Sequence, residues 1–149
     1  PMRPLATCSV WIAIDDVSVE NGAMRYIPGS HRERRLFPNV VSERADLALN
    51  RVLEPNSYDE STAAYDELAS GQLSLHDVYL IPGSAANTSG RRRAGYAIRY
   101  MPATSHFDRN LDMGAGSKHF ATQFATRPIY LMRGNSHSNT VNVIDCRPN

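Results

Sequence analysis

Between Thr7 and Ile14 the side chains alternate. Cys8, Val10, Ile12 and Ile14 fall on one face and Thr7, Ser9, Trp11 and Ala13 on the other, the two-residue period of a sheet strand. Asp15 and Asp16 end it. Only Pro1-Met2-Arg3-Pro4-Leu5 and Ala6 come before, so a beginning is expected to be missing. Asn21-Gly22 signals a tight turn; a short strand from Ala23 to Ile27 and a Pro28-Gly29 turn complete a hairpin-like unit. Ser42 to Leu53 and Ser61 to Ala69 predict helices inserted between strands, since each opens on a serine able to cap free amides and carries Leu, Ala or Tyr at helical spacing. After Gly71 the β pattern returns over Gln72 to Ile81, breaks at Pro82-Gly83 and resumes from Gly95 to Met101, with Tyr96, Ile98 and Tyr100 on one face. Ser117 to Ala125 predicts a short helix, Pro128 to Arg133 a last extended piece, and the Asn- and Ser-rich tail from Gly134 a loosely ordered end. The similar pieces Tyr26-Ile27-Pro28-Gly29-Ser30 and Leu80-Ile81-Pro82-Gly83-Ser84 read as two strands ending in like turns, too few for a repeat architecture.

Composition narrows the class. Hydrophobic content of 42% with 21% charged residues excludes a disordered or fibrous chain, and 149 residues without an internal boundary predict one domain. The net charge is +1, and the clusters Arg32, Arg34, Arg35 and Arg91, Arg92, Arg93 lack interleaved aromatics, so no nucleic-acid partner is expected. No apolar run reaches the length of a membrane span and no signal-peptide pattern is present, which leads to the expectation of no membrane partner and a cytoplasmic location. Cys8 and Cys146 match no metal or redox spacing and are expected to be free thiols. Asn87-Thr88-Ser89 is a glycosylation sequon in form only.

Several stretches in order resemble the phytanoyl-CoA dioxygenase family of iron(II)- and 2-oxoglutarate-dependent oxygenases. Val10-Trp11-Ile12-Ala13-Ile14-Asp15-Asp16, Glu20-Asn21-Gly22-Ala23-Met24-Arg25 and Ile27-Pro28-Gly29-Ser30-His31 are similar to the family's strand, tight turn and following turn. Gly71-Gln72-Leu73-Ser74-Leu75-His76 and the stretch from Gly83-Ser84 through Asn87-Thr88-Ser89 to Arg91-Arg92-Arg93 resemble the strand and loop of its second active-site half, and Arg127-Pro128-Ile129-Tyr130-Leu131-Met132-Arg133-Gly134 its closing segment. The resemblance implies an all-β fold, a partial double-stranded β-helix (jelly roll) with short helical insertions, in one incomplete domain over residues 1–149. It also implies iron(II) and 2-oxoglutarate as cofactors and hydroxylation of a small organic substrate.

Such chemistry uses two histidines and a carboxylate on one face of the iron. In the family a His-x-Asp pair lies upstream of the strand matching Thr7 to Ile14, which would place it before Pro1. The third ligand, a histidine, precedes the Gly-Ser matching Gly83-Ser84, and here that position is Pro82, whose side chain has no donor atom. Iron is therefore expected not to be bound by this chain, and no catalytic residue is assigned. Eleven positions beyond Pro82 the family's 2-oxoglutarate arginine falls on Arg93, whose planar fork suits a carboxylate. Ser84, Asn87 and Ser89 match polar positions near that site, although turn formation explains Ser and Asn equally well. Taken alone, Arg91 to Arg93 read as a solvated loop face; the resemblance singles out Arg93.

Other histidines compete weakly. His106-Phe107-Asp108 has the His-x-Asp form, with His119 or His137 as a third ligand, but it follows the strand that should close the barrel. His31 and His76 read as hydrogen-bonded or exposed, and His76 and Asp77 point to opposite faces of an extended segment. Two readings stay open, an oxygenase of the family and a non-catalytic fragment or binding and scaffolding module of the same fold. A sheet lacking its leading strands exposes edges, which makes a homo-oligomer an expected partner.

Overall fold

A computed structural model describes residues 2–44, 51–110, 126–136 and 143–148. The strands there are β1 (Met2–Arg3), β2 (Cys8–Ala13), β3 (Met24–Tyr26), β4 (Asn39–Val41), β5 (Arg51–Leu53), β6 (Ala64–Asp66), β7 (Leu73–Asp77), β8 (Pro82–Ser84), β9 (Gly95–Tyr100), β10 (His106–Phe107), β11 (Ile129–Leu131) and β12 (Val143–Asp145). Single 3-10 turns occur at Val19–Asn21, Ser30–Glu33 and Glu60–Thr62, and the described residues contain no α-helix. The fold is all-β. Two compact units divide the chain, Cys8–Tyr100 and the combination of Pro1–Thr7 with Met101–Asn149.

The unit Cys8–Tyr100 holds two antiparallel three-stranded sheets, β7-β2-β9 and β6-β3-β8, and a β4-β5 pair. The chain passes from β2 in the first sheet to β3 in the second, then alternates β7, β8, β9 between them, which is the interleaving of a jelly roll. Central strand β2 sends Trp11 and Ala13 to one face, where they join Val17 and Ala23 in a core that Met24 and Leu68 cover. Burying a valine such as Val17 stabilises by roughly 1.5–3 kcal/mol. The opposite face lines up Leu73, Ile12 and Tyr96, then Leu75, Val10 and Ile98. Tyr96, Ile98 and Tyr100 share that face as their spacing predicts; its outer strands are open, with Leu75 63% and Tyr96 61% exposed, while Val10 on the central strand is buried.

Several local expectations are corrected. Asn21-Gly22 does not join two strands of one sheet, because β2 and β3 belong to different sheets. Asn21 is instead 1% exposed, its Oδ1 accepting from the Ser18 amide at 2.8 Å and its Nδ2 donating to the Asp16 carbonyl at 2.8 Å. Gly22 follows at φ 87°, and a Cβ there would stand 3.0 Å from the Ala85 carbonyl oxygen, so the position needs glycine for its conformation and its close approach.

The helix expected over Ser61 to Ala69 is one 3-10 turn followed by a strand. Asp59 accepts from the Ser61 amide and hydroxyl and closes that turn, after which Ala64–Asp66 joins the β3 ladder. In the stretch Ser42 to Leu53, residues 45–50 lie outside the described residues, and Arg51–Leu53 is a strand opposite Asn39–Val41. In both places ladder pairing outweighs a helix propensity worth only tenths of a kcal/mol per residue. The break expected at Pro82-Gly83 lies earlier, at 78–80, where the Asp77 carboxylate accepts from the Tyr79 amide at 2.8 Å. Pro82 itself sits in β8, an edge strand, where a missing N–H is tolerated. The two Ile-Pro-Gly-Ser pieces meet in space: Ile27 donates to the Ile81 carbonyl at 3.1 Å and Ile81 to Ser30 Oγ at 2.9 Å.

In the other unit β1 pairs with β10, and Phe107 and Ser105 are buried. Ile129–Leu131 falls within the extended piece expected there, and Val143–Asp145, in the tail expected to be loose, pairs with it in parallel. The helix expected over Ser117 to Ala125 lies outside the described residues.

Candidate functional site

The loop from β8 to β9 is held in place by its own polar residues. Ser84 Oγ donates to the Gly22 carbonyl at 3.1 Å. Asn87 Oδ1 accepts from the Ser89 amide and hydroxyl, and its Nδ2 donates to the Arg91 carbonyl at 2.7 Å. Thr88 ties the loop to the Glu20 carbonyl through its amide at 3.0 Å. Ser84 and Asn87 thus shape the loop that carries the arginines.

The three consecutive arginines have separate fates. Arg91 reaches Ser18 Oγ at 3.0 Å and Glu20 at 3.4 Å. Arg92 forms a two-pronged pair with Asp15, Nε to Oδ2 at 2.9 Å and Nη2 to Oδ1 at 2.7 Å, and the Ala94 amide adds a bond to Oδ2 at 2.8 Å. The Arg92 guanidinium foremost, then the Ala94 N–H, hold the Asp15 carboxyl below its ordinary range. Arg93 is half-buried, has no carboxylate partner among the described residues, and places its guanidinium 5.6 Å from the Trp11 ring centroid. The indole lies directly on the β9 backbone, because a Cβ at Gly95 would fall inside its van der Waals envelope. Glycine at 95 therefore seats Trp11, and Trp11 forms a floor beneath Arg93. The result is a cation over an aromatic surface beside neutralised neighbours, suited to a carboxylate.

Among the described residues no comparable donor set exists for a metal. Pro82 lies opposite Tyr26 in the β3–β8 ladder and offers no ligand atom. No group of three His, Cys, Asp or Glu side chains stands together among the described residues, so these residues do not fit an iron centre. His31 is exposed in a 3-10 turn, and His76 faces Tyr26 while Asp77 lies in the opposite-facing row with Cys8. His106 is exposed on β10, Asp108 Oδ1 accepts from the Asn110 amide at 3.0 Å, and His119 and His137 lie outside the described residues.

The model of the family described as Phytanoyl-CoA dioxygenase (PhyH) matches residues 1–95. The chain belongs to the phytanoyl-CoA dioxygenase family. A phytanoyl-CoA dioxygenase domain-containing protein 1 homolog of Dictyostelium discoideum is 32% identical over 101 residues, 66% of this chain and 36% of that protein. Its Caenorhabditis elegans counterpart is 34% identical over 96 residues, 62% and 33% of the two chains. This phytanoyl-CoA dioxygenase-family chain thus spans about a third of the length of the curated relatives it matches. Among solved structures, the non-heme monooxygenase ThoJ in apo form resembles it at a TM-score of 0.59 and 25% identity, over 70% of this chain and 37% of that one. EvdO2 from Micromonospora carbonacea var. aurantiaca complexed with 2-oxoglutarate does so at 0.53 and 26%, over 63% and 37%. The α-ketoglutarate dependent carbocyclase SnoK from nogalamycin biosynthesis gives 0.53 and 29%, over 70% and 40%. These are non-heme oxygenases of double-stranded β-helix fold, and the all-β architecture here is of that kind.

Trp11 and Asp15 are the site residues that sequence reasoning did not single out. Trp11 reads there as one more strand position and Asp15 as a strand terminator. The signal available was glycine at 95 opening a strand, which marks a close approach by another group.

Proposed function

We propose that residues 1–149 form an incomplete jelly-roll domain that binds 2-oxoglutarate or a similar dicarboxylate through Arg93 and does not itself catalyse oxygenation. The observation that carries this reading is the combination of Pro82 at the third-ligand position with Arg93 above Trp11, without a carboxylate partner among the described residues. Even with a His-x-Asp pair supplied from outside these residues, the triad would lack its second histidine, so the binding half of the family site is kept without the metal-holding half. Ser84 and Asn87 serve as positioning residues for the Arg93 loop. The complete family form would use iron(II) and 2-oxoglutarate to hydroxylate a small organic substrate, a role supported by the family membership and by the 2-oxoglutarate complex of EvdO2.

Two exposed unpaired thiols, Cys8 and Cys146, suit a reducing compartment, which supports a cytoplasmic location. No helix among the described residues is long and apolar enough to cross a membrane. Among the described residues the outer strands β7 and β9 have no further ladder partner, and a second copy of the chain is the partner proposed for their edges.

Calorimetric titration with 2-oxoglutarate tests the binding claim. Heat of binding is expected, and Arg93→Leu should weaken it by at least about tenfold, the scale of a lost charge-assisted pair. Succinate formation with added iron(II) is expected at the metal-only background. Turnover that disappears in Arg93→Leu overturns the non-catalytic reading.

A further inference from the structure

Arg93 stands over Trp11, so an anion paired with it has the inner face of the β7-β2-β9 sheet for its surroundings. Register sets Ser74, Trp11 and Ala97 in one row of that face, and His76, Ser9 and Arg99 in the next, about 7 Å along the strands. From the other sheet comes Tyr26, whose hydroxyl is already engaged. It accepts from the Ser74 hydroxyl and lies 3.1 Å from His76 Nδ1 and 3.5 Å from Met24 Sδ. Burial is the main influence on both rings, lowering His76 and raising the Tyr26 phenol, so the pair is uncharged at neutral pH.

These surroundings decide how much of a diacid the site can read. Arg93 and the exposed Arg99 respond to carboxylate charge, and that charge is the same in a diacid with or without an oxo group. A metal would respond to the difference, because a 2-oxo acid chelates through its oxo oxygen and the neighbouring carboxylate while the plain diacid does not. Pro82 has no donor atom, and no three His, Cys, Asp or Glu side chains stand together among the described residues, so they do not supply that means of discrimination. The neutral groups left on this face, Ser9 and the far nitrogen of His76, offer an oxo oxygen one ordinary hydrogen bond, a preference of at most about tenfold.

We propose that this site does not distinguish 2-oxoglutarate from glutarate, the plain diacid of the same length, and that it takes both without a divalent metal. The inference rests on the proposed role of Arg93 and names the class of ligand that follows from it: aliphatic diacids, selected by charge and by a chain able to lie over the Trp11 indole. Specificity is a difference of affinities, and an oxo oxygen that meets no dedicated partner adds little to that difference. A site that has kept its cation and lost its metal donors is a receptor for diacids in general.

Titration calorimetry of the full chain with 2-oxoglutarate and with glutarate, each with and without manganese(II), tests it. The two Kd values should agree within about tenfold, and manganese(II) should change neither by more than about threefold. Arg93→Leu should weaken both diacids together by at least about tenfold, with circular dichroism verifying that the variant keeps its fold. A larger preference for 2-oxoglutarate, or a larger tightening by manganese(II) confined to 2-oxoglutarate, overturns this inference and leaves the role of Arg93 standing. Absence of binding by both diacids, or binding unaltered in Arg93→Leu, overturns the role of Arg93 and the inference with it. The comparison of the two diacids is made on the unaltered chain, so it does not depend on the folding of any variant.

Discussion

Arg91, Arg92 and Arg93 are adjacent in sequence and chemically alike, yet their surroundings divide them into two cations paired with carboxylates and one that lies over Trp11 with no carboxylate partner among the described residues. The division comes from the β2–β3 connection, where Asp15 and Glu20 take up Arg92 and Arg91. The Asp15 carboxyl titrates below its ordinary value of 3.8 in the folded chain because Arg92 and the Ala94 amide favour its charge. Its stabilising contribution is therefore complete above the unfolded value and is lost as pH falls through the folded one. Asp15→Asn should flatten part of the acid-side loss of stability below about pH 4, measured by urea denaturation across pH. Gly95 gives a second test at this scale. Gly95→Ala forces the Trp11 ring off the β9 backbone and should destabilise by about 1–3 kcal/mol, with 2-oxoglutarate binding weakened as the floor beneath Arg93 moves.

Among the elements, those fixed by their own alternation were legible in the sequence. The segments containing β2, β7 and β9 all carry a two-residue period that survives in the ladder. The helices expected over Ser42 to Leu53 and Ser61 to Ala69 were not found where described. Serine caps and scattered Leu, Ala and Tyr say nothing about the ladder partners that Asn39–Val41 and Met24–Tyr26 supply from a distance. The Asn21-Gly22 turn was legible as a turn but not as a crossover between sheets, since turn chemistry does not encode which sheet the next strand joins. Which face of the β7-β2-β9 sheet is covered was equally hidden, because β2 is apolar on both. The outward face carries Leu73, Leu75, Tyr96 and Tyr100, and a patch of this type promotes association. Sedimentation should detect self-association that Leu75→Lys reduces, with circular dichroism unchanged.

Across the whole molecule, the family and its all-β fold were readable because their motifs are contiguous, while the seating of Trp11 beneath Arg93 depends on two strands meeting. On the proposed function, Pro82 separates a retained dicarboxylate-binding part of the family chemistry from a lost metal-holding part. Pro82→His alone should leave succinate formation at background, since one imidazole does not assemble a triad. Activity from that single change would mean that other side chains of this chain hold the metal. Trp11 is the sole tryptophan in the sequence. Its stacking beneath Arg93 means that the unlabelled polypeptide contains an optical sensor: a dicarboxylate that draws the guanidinium away from the indole alters its emission, and a fluorimeter can follow occupancy in real time.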